Sequence, residues 1–426
     1  MIGFERRYTF KTVTKKKIEN IVFHFTFSFH HFFQSRNIMI RLVVIEKERT
    51  GSFTFEPGTF GPVKVVSVSP LLTAYGDSKQ IDDFSFEIPA STGKLAFNIQ
   101  MLEGKKYIKK TFPISETDSI ELMVCLLTPF DKLPGPQIDL KFPKYFTIGH
   151  RGSGNNLHVK DYQENTKASI LQAAKVGCQF IEFDVQLSKE NTPVIHHDYV
   201  IKQSKKRDEL GQPINEDPPG TFNYAVNQFT VDQFRDCKLD LQWHEHLPTL
   251  HDLLCEIPSE VHYDIEVKWP FQPKNYHIPY VERNVFIDTV LTEISENAND
   301  RKFFFSCFDI FSLMMLLYKQ QKYPVLSLMT KEDEDTFEYF VKKTIGMAPI
   351  LKEMGVQGYV INSLFLLKDK ELISKLLGMG FMIVTYGDPN NTEQGTIEQL
   401  DLGISGFCTD KLEMINNVIA EYAKTH

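Results

Sequence analysis

Phe180-Ile-Glu-Phe-Asp-Val185 is an apolar run with two acids set into it, Glu182 and Asp184. Side chains alternate across a strand, so residues two apart share one face. A strand that is apolar along its length and ends in two carboxylates on one face belongs in a buried parallel sheet, whose strand ends carry chemistry. Working outward, seven further short apolar runs share its character: Tyr145–Ile148, Val261–Val267, Phe303–Cys307, Val325–Leu328, Gly358–Ile361, Phe381–Thr385 and Gly406–Thr409. Between most of them lie stretches with helical spacing, such as Asn165–Val176, Val285–Asn297, Ile310–Gln320 and Lys370–Leu377. Eight strands with helical crossovers predict an α/β fold of the TIM (β/α)₈ barrel kind.

The run Pro193–His196 stands apart. The link from Phe180–Val185 is too short for a parallel crossover, so it predicts a hairpin with Lys189-Glu-Asn191 at its tip. The hairpin returns His197-Asp198 towards the barrel mouth. A long excursion follows over Tyr199–Pro248, in which Lys202–Arg207 and Asp217-Pro-Pro-Gly220 read as exposed loop.

The amino-terminal part reads differently. Alternating runs at Ser52–Phe55, Lys64–Val68, Phe84–Ile88, Lys94–Ile99 and Ile120–Leu126 are separated by Pro/Gly turns, which predicts a small all-β accessory domain over residues 1–130. Pro129-Phe-Asp-Lys-Leu-Pro-Gly-Pro136 is the expected connector, and the barrel is expected over residues 144–426. The stretch Ile21–Phe33 follows three lysines, but His24, His30 and His31 interrupt it and no small-residue cleavage site follows. It is too short to span a bilayer, and its alternation is that of a half-buried strand. A cytoplasmic protein without stable membrane insertion is expected. The net charge of −8 over 426 residues argues against a nucleic-acid partner. Six scattered cysteines with no C-x-x-C pair read as free thiols rather than a zinc ribbon.

Four segments place chemistry on one face of such a barrel. His150-Arg151 follows the first strand; Glu182 and Asp184 end the second; His197-Asp198 closes the hairpin; Glu266 and Lys268 end the third. Carboxyl ends of barrel strands form the catalytic face. Three inward carboxylates repel one another unless a positive charge sits between them, and a hard divalent cation with oxygen ligands supplies it. Arg151 and Lys268 suit phosphate oxygens, and two histidines can divide proton removal and donation. Singly, each feature has a plainer reading: a hydrogen-bonded structural histidine, an exposed acidic strand face, a cross-strand ion pair. Their convergence on one mouth favours chemistry.

Phe146-Thr-Ile-Gly-His-Arg-Gly152, Glu164-Asn-Thr166, Glu182-Phe-Asp-Val185, Pro193-Val-Ile-His-His-Asp198, Ile265-Glu-Val-Lys268, Phe305-Ser-Cys-Phe308 and Gly406-Phe-Cys-Thr-Asp410 together resemble the glycerophosphodiester phosphodiesterase family. The resemblance runs from Lys144 to Leu412, and within the family it is similar to the eukaryotic cytosolic glycerophosphocholine phosphodiesterases. It implies hydrolysis of glycerophosphodiesters, glycerophosphocholine among them, to glycerol 3-phosphate and an alcohol. It implies catalytic histidines at His150 and His197, one Ca²⁺ or Mg²⁺ on Glu182, Asp184 and Glu266, and phosphate contacts from Arg151 and Lys268. Glu164 and Asn165 are implied to support the first histidine loop, Asn165 also suiting the N-cap of the helix that follows.

The chain departs from the family at Thr385-Tyr386, where a tryptophan is frequent; Tyr386 still offers a flat face to a choline-like cation. Both tryptophans, Trp243 and Trp269, lie in the barrel half, so weak or no carbohydrate binding is expected of the β region. Two rival readings are a lysophospholipase D on the same barrel and a catalytically silent scaffold.

Overall fold

Apolar strands flanked by amphipathic helices bury most area when the strands close on themselves, and these do so. The structure is a computed structural model. It describes residues 130–425 except 160, 204–221, 238–244, 271–277, 280, 331–343, 349–350 and 353, together with the backbone of the strands between Ile21 and Leu127.

The chain divides into two compact units, Met1–Phe130 and Asp131–His426. In the first, hydrogen bonds join the described strands into two four-stranded sheets. The longest pair, Ile21–Phe32 and Ser35–Glu46, runs antiparallel. The expected strand at Lys64–Val68 lies outside the described residues.

In the second unit, eight parallel strands form a closed ring. They are β1 (Phe146–Gly149), β2 (Phe180–Leu187), β3 (Tyr263–Val267), β4 (Phe303–Cys307), β5 (Val325–Met329), β6 (Gly358–Asn362), β7 (Met382–Tyr386) and β8 (Gly406–Thr409). Closure is made where β8 pairs with β1, Gly406 opposite Phe146, and β1 pairs with β2, Phe180 opposite Ile148. Gly406 is required there, because a Cβ would meet the Phe146 ring and Val384. Helices Arg283–Asn297, Ile310–Lys319, Lys370–Gly378, Glu393–Asp401 and Leu412–Thr425 are among those that follow the strands.

The barrel interior is filled, not open. Phe146, Ile148, Phe180, Phe304, Leu326, Leu328, Val360, Val384 and Cys408 form one buried cluster. Phe180 packs edge-on against Phe304 at 5.1 Å between centroids, and Phe142 from the segment before β1 reaches Phe180 at 5.4 Å.

The hairpin forms as its short link predicts: Pro193–Ile195 pairs antiparallel with β2, Val185 opposite Ile195. Asn191 at its tip takes the left-handed conformation at φ 62°. The excursion after it is not all loop, because Val200–Gln203 pairs with Phe222–Ala225 and carries Lys202 in a strand. Val194, Ile201, Val226, Phe229, Phe234, Cys237 and Leu247 bury its apolar side in a second cluster. The remaining expected loop positions, 204–207 and 217–220, lie outside the described residues, as does Trp243. Among the described side chains, Cys178, Cys237, Cys255, Cys307 and Cys408 are free thiols, with Cys237, Cys307 and Cys408 buried and Cys255 exposed. No helix among the described residues is long and apolar enough to cross a membrane.

Candidate active site

The site is built at the carboxyl ends of β1, β2, β3 and β8. Along β2, Phe180 faces the buried cluster, and Glu182 and Asp184 follow on the same face at i+2 and i+4. Pairing of β2 with β3 sets Asp184 opposite Glu266. All three acids are buried, and their carboxylate oxygens lie within 4.8 Å of one another.

Lys268, one residue beyond β3, places its ammonium 3.0 Å from Glu266 Oε1 and 3.2 Å from Asp184 Oδ1. Burial disfavours its charge, but Glu266 and Asp184 reverse that and raise its pKa overall. Burial likewise pushes the Asp184 carboxyl up, but Lys268, His197 and Arg151, with a hydrogen bond from Asn165, hold it well below the usual range. Glu182 goes the other way: burial, then the charges of Asp184 and Glu266, push it well above an ordinary carboxyl. The Lys268 ammonium contacts Glu266 and Asp184, while Glu182 meets the backbone amide of Arg151.

The loop after β1 wraps this cluster. The backbone amide of Arg151 donates to Glu182 Oε2 at 2.7 Å, and its guanidinium Nη1 donates to Glu164 Oε1 at 3.0 Å. Arg151 sits at φ 48° and Gly152 at φ 93°, where a Cβ would collide with Ser169. Glycine at 152 is therefore what lets the loop close over helix α1 (Lys167–Val176). Asn165 is not the cap of α1. Thr166 is, its side chain accepting from the Ser169 amide. Asn165 stands at φ 58° and turns inward, where its Nδ2 donates to Asp184 Oδ2 at 2.9 Å and its backbone amide to the Arg151 carbonyl at 2.9 Å. The demand of a buried carboxylate for a donor outweighs the cap, which the neighbouring Thr166 supplies instead.

His150 is held through Nδ1 by Asp410 Oδ1 at 2.8 Å. Asp410, just past β8, is fixed in turn by the Asn155 amide at 2.8 Å and by Asn391 Nδ2 at 2.9 Å. Burial pushes its carboxyl up, but the hydrogen bond and charge of His150 outweigh this and lower its pKa. His197 repeats the pattern on the hairpin, with Nδ1 2.7 Å from Asp198 Oδ1. That hydrogen bond, the largest influence, holds Asp198 down at about 2. His196 turns the other way, buried edge-on to Phe234 at 6.3 Å. Tyr386 ends β7, its ring 6.5 Å from that of Phe308. Burial pushes its hydroxyl up to about 12, and the charges of Glu266 and Lys268 reach it.

Direct contacts thus join Arg151, Glu164, Asn165, Glu182, Asp184, Glu266 and Lys268 in one network. His197 acts on Asp184 through its charge, and His150 carries the Arg151 loop on its carboxyl side. Asp410 enters the sequence reading only within the Gly406-Phe-Cys-Thr-Asp410 motif, without a role, and Tyr199, whose ring lies 5.7 Å from the Lys268 ammonium, has none there either. The signal for Asp410 was its place just beyond the eighth strand, on the catalytic face of such a barrel.

Three buried acids, two histidines each tied to a carboxylate and two cations, all at the mouth of a parallel barrel, are an arrangement suited to a phosphoric diester. Comparison with known proteins agrees. The model of the glycerophosphoryl diester phosphodiesterase family matches residues 150–414. The chain belongs to that family. It is 28% identical over 320 residues to the glycerophosphocholine phosphodiesterase of Homo sapiens, covering 66% of this chain and 47% of that protein. It is 26% identical to the Candida albicans protein of the same name, over 65% of this chain and 29% of that one. The chain thus spans about half the length, or less, of these curated relatives. Among solved structures, a glycerophosphoryl diester phosphodiesterase of Agrobacterium tumefaciens superposes with a TM-score of 0.51 at 17% identity, covering 66% of this chain and 99% of that one. An Oleispira antarctica phosphodiesterase in complex with sn-glycerol-3-phosphate gives 0.50 at 18%, over 66% and 97%. These two likenesses speak to the fold.

Proposed function

We propose that this chain hydrolyses glycerophosphocholine to glycerol 3-phosphate and choline with one divalent cation, His150 and His197 sharing the proton transfers. The observation that carries the reading is the buried triad Glu182, Asp184 and Glu266. The donor set fits a cation: the ligand atoms are hard carboxylate oxygens close enough to share one ion, which suits Ca²⁺ or Mg²⁺. When bound, such an ion supplies charge to offset that developing on the phosphate.

The residues do the rest. Arg151 and Lys268 orient the phosphate oxygens by charge-assisted hydrogen bonds. Asp410 accepts the Nδ1 proton of His150, which leaves Nε2 as the nitrogen that takes or returns a proton. Asp198 sets the same tautomer on His197. One imidazole removes a proton from the nucleophile and the other protonates the leaving oxygen. The nucleophile is either water or the neighbouring glycerol hydroxyl, and capture of a cyclic phosphate with His150→Ala or His197→Ala distinguishes them. Tyr386 offers its ring to the choline cation. Residues 1–130 are read as an accessory domain with weak or no affinity for carbohydrate, and the whole as a cytoplasmic protein.

Purified protein with Ca²⁺ or Mg²⁺ is expected to release choline and glycerol 3-phosphate from glycerophosphocholine, and less from lysophosphatidylcholine. Release from neither, nor from any other glycerophosphodiester, returns the chain to the silent-scaffold reading.

A further inference from the structure

Tyr199 lies two residues past His197, where the hairpin returns to the mouth. Its ring sits beneath the Lys268 ammonium, 5.7 Å from Nζ to centroid. That is within the range at which an ammonium is attracted to an aromatic face. Its hydroxyl reaches the carbonyl of Trp269 at 3.5 Å, and its own carbonyl accepts from the Val226 amide at 3.0 Å. Tyr199 therefore spans from the loop of one proposed catalytic histidine to the loop of a proposed phosphate-binding lysine.

The far side of this span is rigid. Trp269 donates through Nε1 to the Val281 carbonyl at 2.9 Å, and the Arg283 guanidinium stacks on its ring at 3.5 Å. Arg283 grips Asp309 with Nε at 2.8 Å and Nη2 at 3.0 Å. Asp309 in turn caps helix Ile310–Lys319. Lys268 and Trp269 thus stand on a fixed abutment, and the hairpin leans on it through Tyr199.

Two carboxylates hold the Lys268 ammonium from the barrel side, Asp184 and Glu266. Left to them alone, a flexible four-carbon amine follows whichever acid is more negative, and its third N–H has no preferred direction. A ring face on another side narrows the choice.

We infer that Tyr199 is a positioning residue, whose ring fixes the Lys268 ammonium relative to His197 so that the lysine's remaining N–H meets the substrate phosphate. The inference rests on the proposed role of Lys268 and adds a residue that acts through it. The contact is made by the ring, with the hydroxyl at the limit of hydrogen-bond distance, so ring and hydroxyl separate cleanly.

The test is a double-mutant cycle on glycerophosphocholine hydrolysis, with melting temperature as the check on folding. Tyr199→Leu is expected to lower kcat/KM about tenfold or somewhat more, the scale of a desolvated ammonium–ring contact. Tyr199→Phe keeps the ring and is expected to recover most of that loss. In a Lys268→Met background, where no ammonium remains to be held, Tyr199→Leu is expected to cost less than about twofold. Three results overturn the inference: wild-type kinetics in Tyr199→Leu, failure of Tyr199→Phe to recover, or the same loss in the Lys268→Met background as in the wild type. A wild-type enzyme inactive on every diester fails the proposed function itself; an active one indifferent to Tyr199→Leu fails this inference alone.

Discussion

The inner end of the barrel and its mouth are built from the same strands and share almost no chemistry. On β2 the two are one pleat apart: Phe180 lies in an aromatic cluster with Phe146 and Phe304, while Glu182 and Asp184 lie among charges. Both layers are buried. The inner one is stable because it excludes water. The outer one is buried and unbalanced, with Glu182 pushed well above its ordinary pKa by burial and by its acidic neighbours. A strand whose apolar run turns acidic at its carboxyl end is thus the point where the molecule gives up stability for function.

That contrast can be broken at either end. His150→Ala, at the mouth, is expected to lower kcat by about 10²–10⁴ with little change in melting temperature, since general acid–base groups contribute on that scale; steady-state kinetics beside calorimetry checks both halves. Phe180→Ala, at the inner end, is expected to do the reverse, costing about 3–5 kcal/mol of stability, measured by urea unfolding, with kcat changed far less at temperatures where the variant stays folded.

His196 lies between the two regimes. Burial holds its imidazole down at about 4, against an ordinary value of 6.5. Below the ordinary value the unfolded chain takes a proton that the folded chain refuses, so stability falls as pH drops from about 6.5 towards 4 and levels beneath that. The full loss is about 3 kcal/mol. His196→Phe is expected to flatten this part of a pH–stability profile, and an unchanged slope would remove His196 as its cause. The smallest effect on stability belongs to Glu182→Gln. Without added cation it is expected to raise stability by about 1 kcal/mol, because it deletes one of three mutually repelling charges.

The strands of the barrel were legible because each apolar run is short and bounded by turn residues or by charge. Phe303–Cys307 and Gly406–Thr409 match residue for residue, and the others shift by a residue or two. The acids of β2 and β3 were legible because a period of two places them on one face without knowledge of any partner. Asn165 was misread for the opposite reason. Before a helix, an asparagine suits a cap, and only the fold brings Asp184 into reach to claim its side chain. Tyr199 and Trp269 are 70 residues apart. Neither residue type carries any local mark of a contact that exists only once hairpin and barrel are assembled.

The central claim is that the three buried acids are made to share a cation. Isothermal titration of Ca²⁺ and of Mg²⁺ into chelator-stripped wild-type protein and Glu182→Gln, with glycerophosphocholine turnover followed on the same samples, tests it most directly. The account predicts one cation per wild-type chain, binding at least tenfold weaker in Glu182→Gln, and turnover that follows occupancy. Undiminished turnover of the wild-type protein in excess chelator, with no heat of binding for either ion, would contradict it.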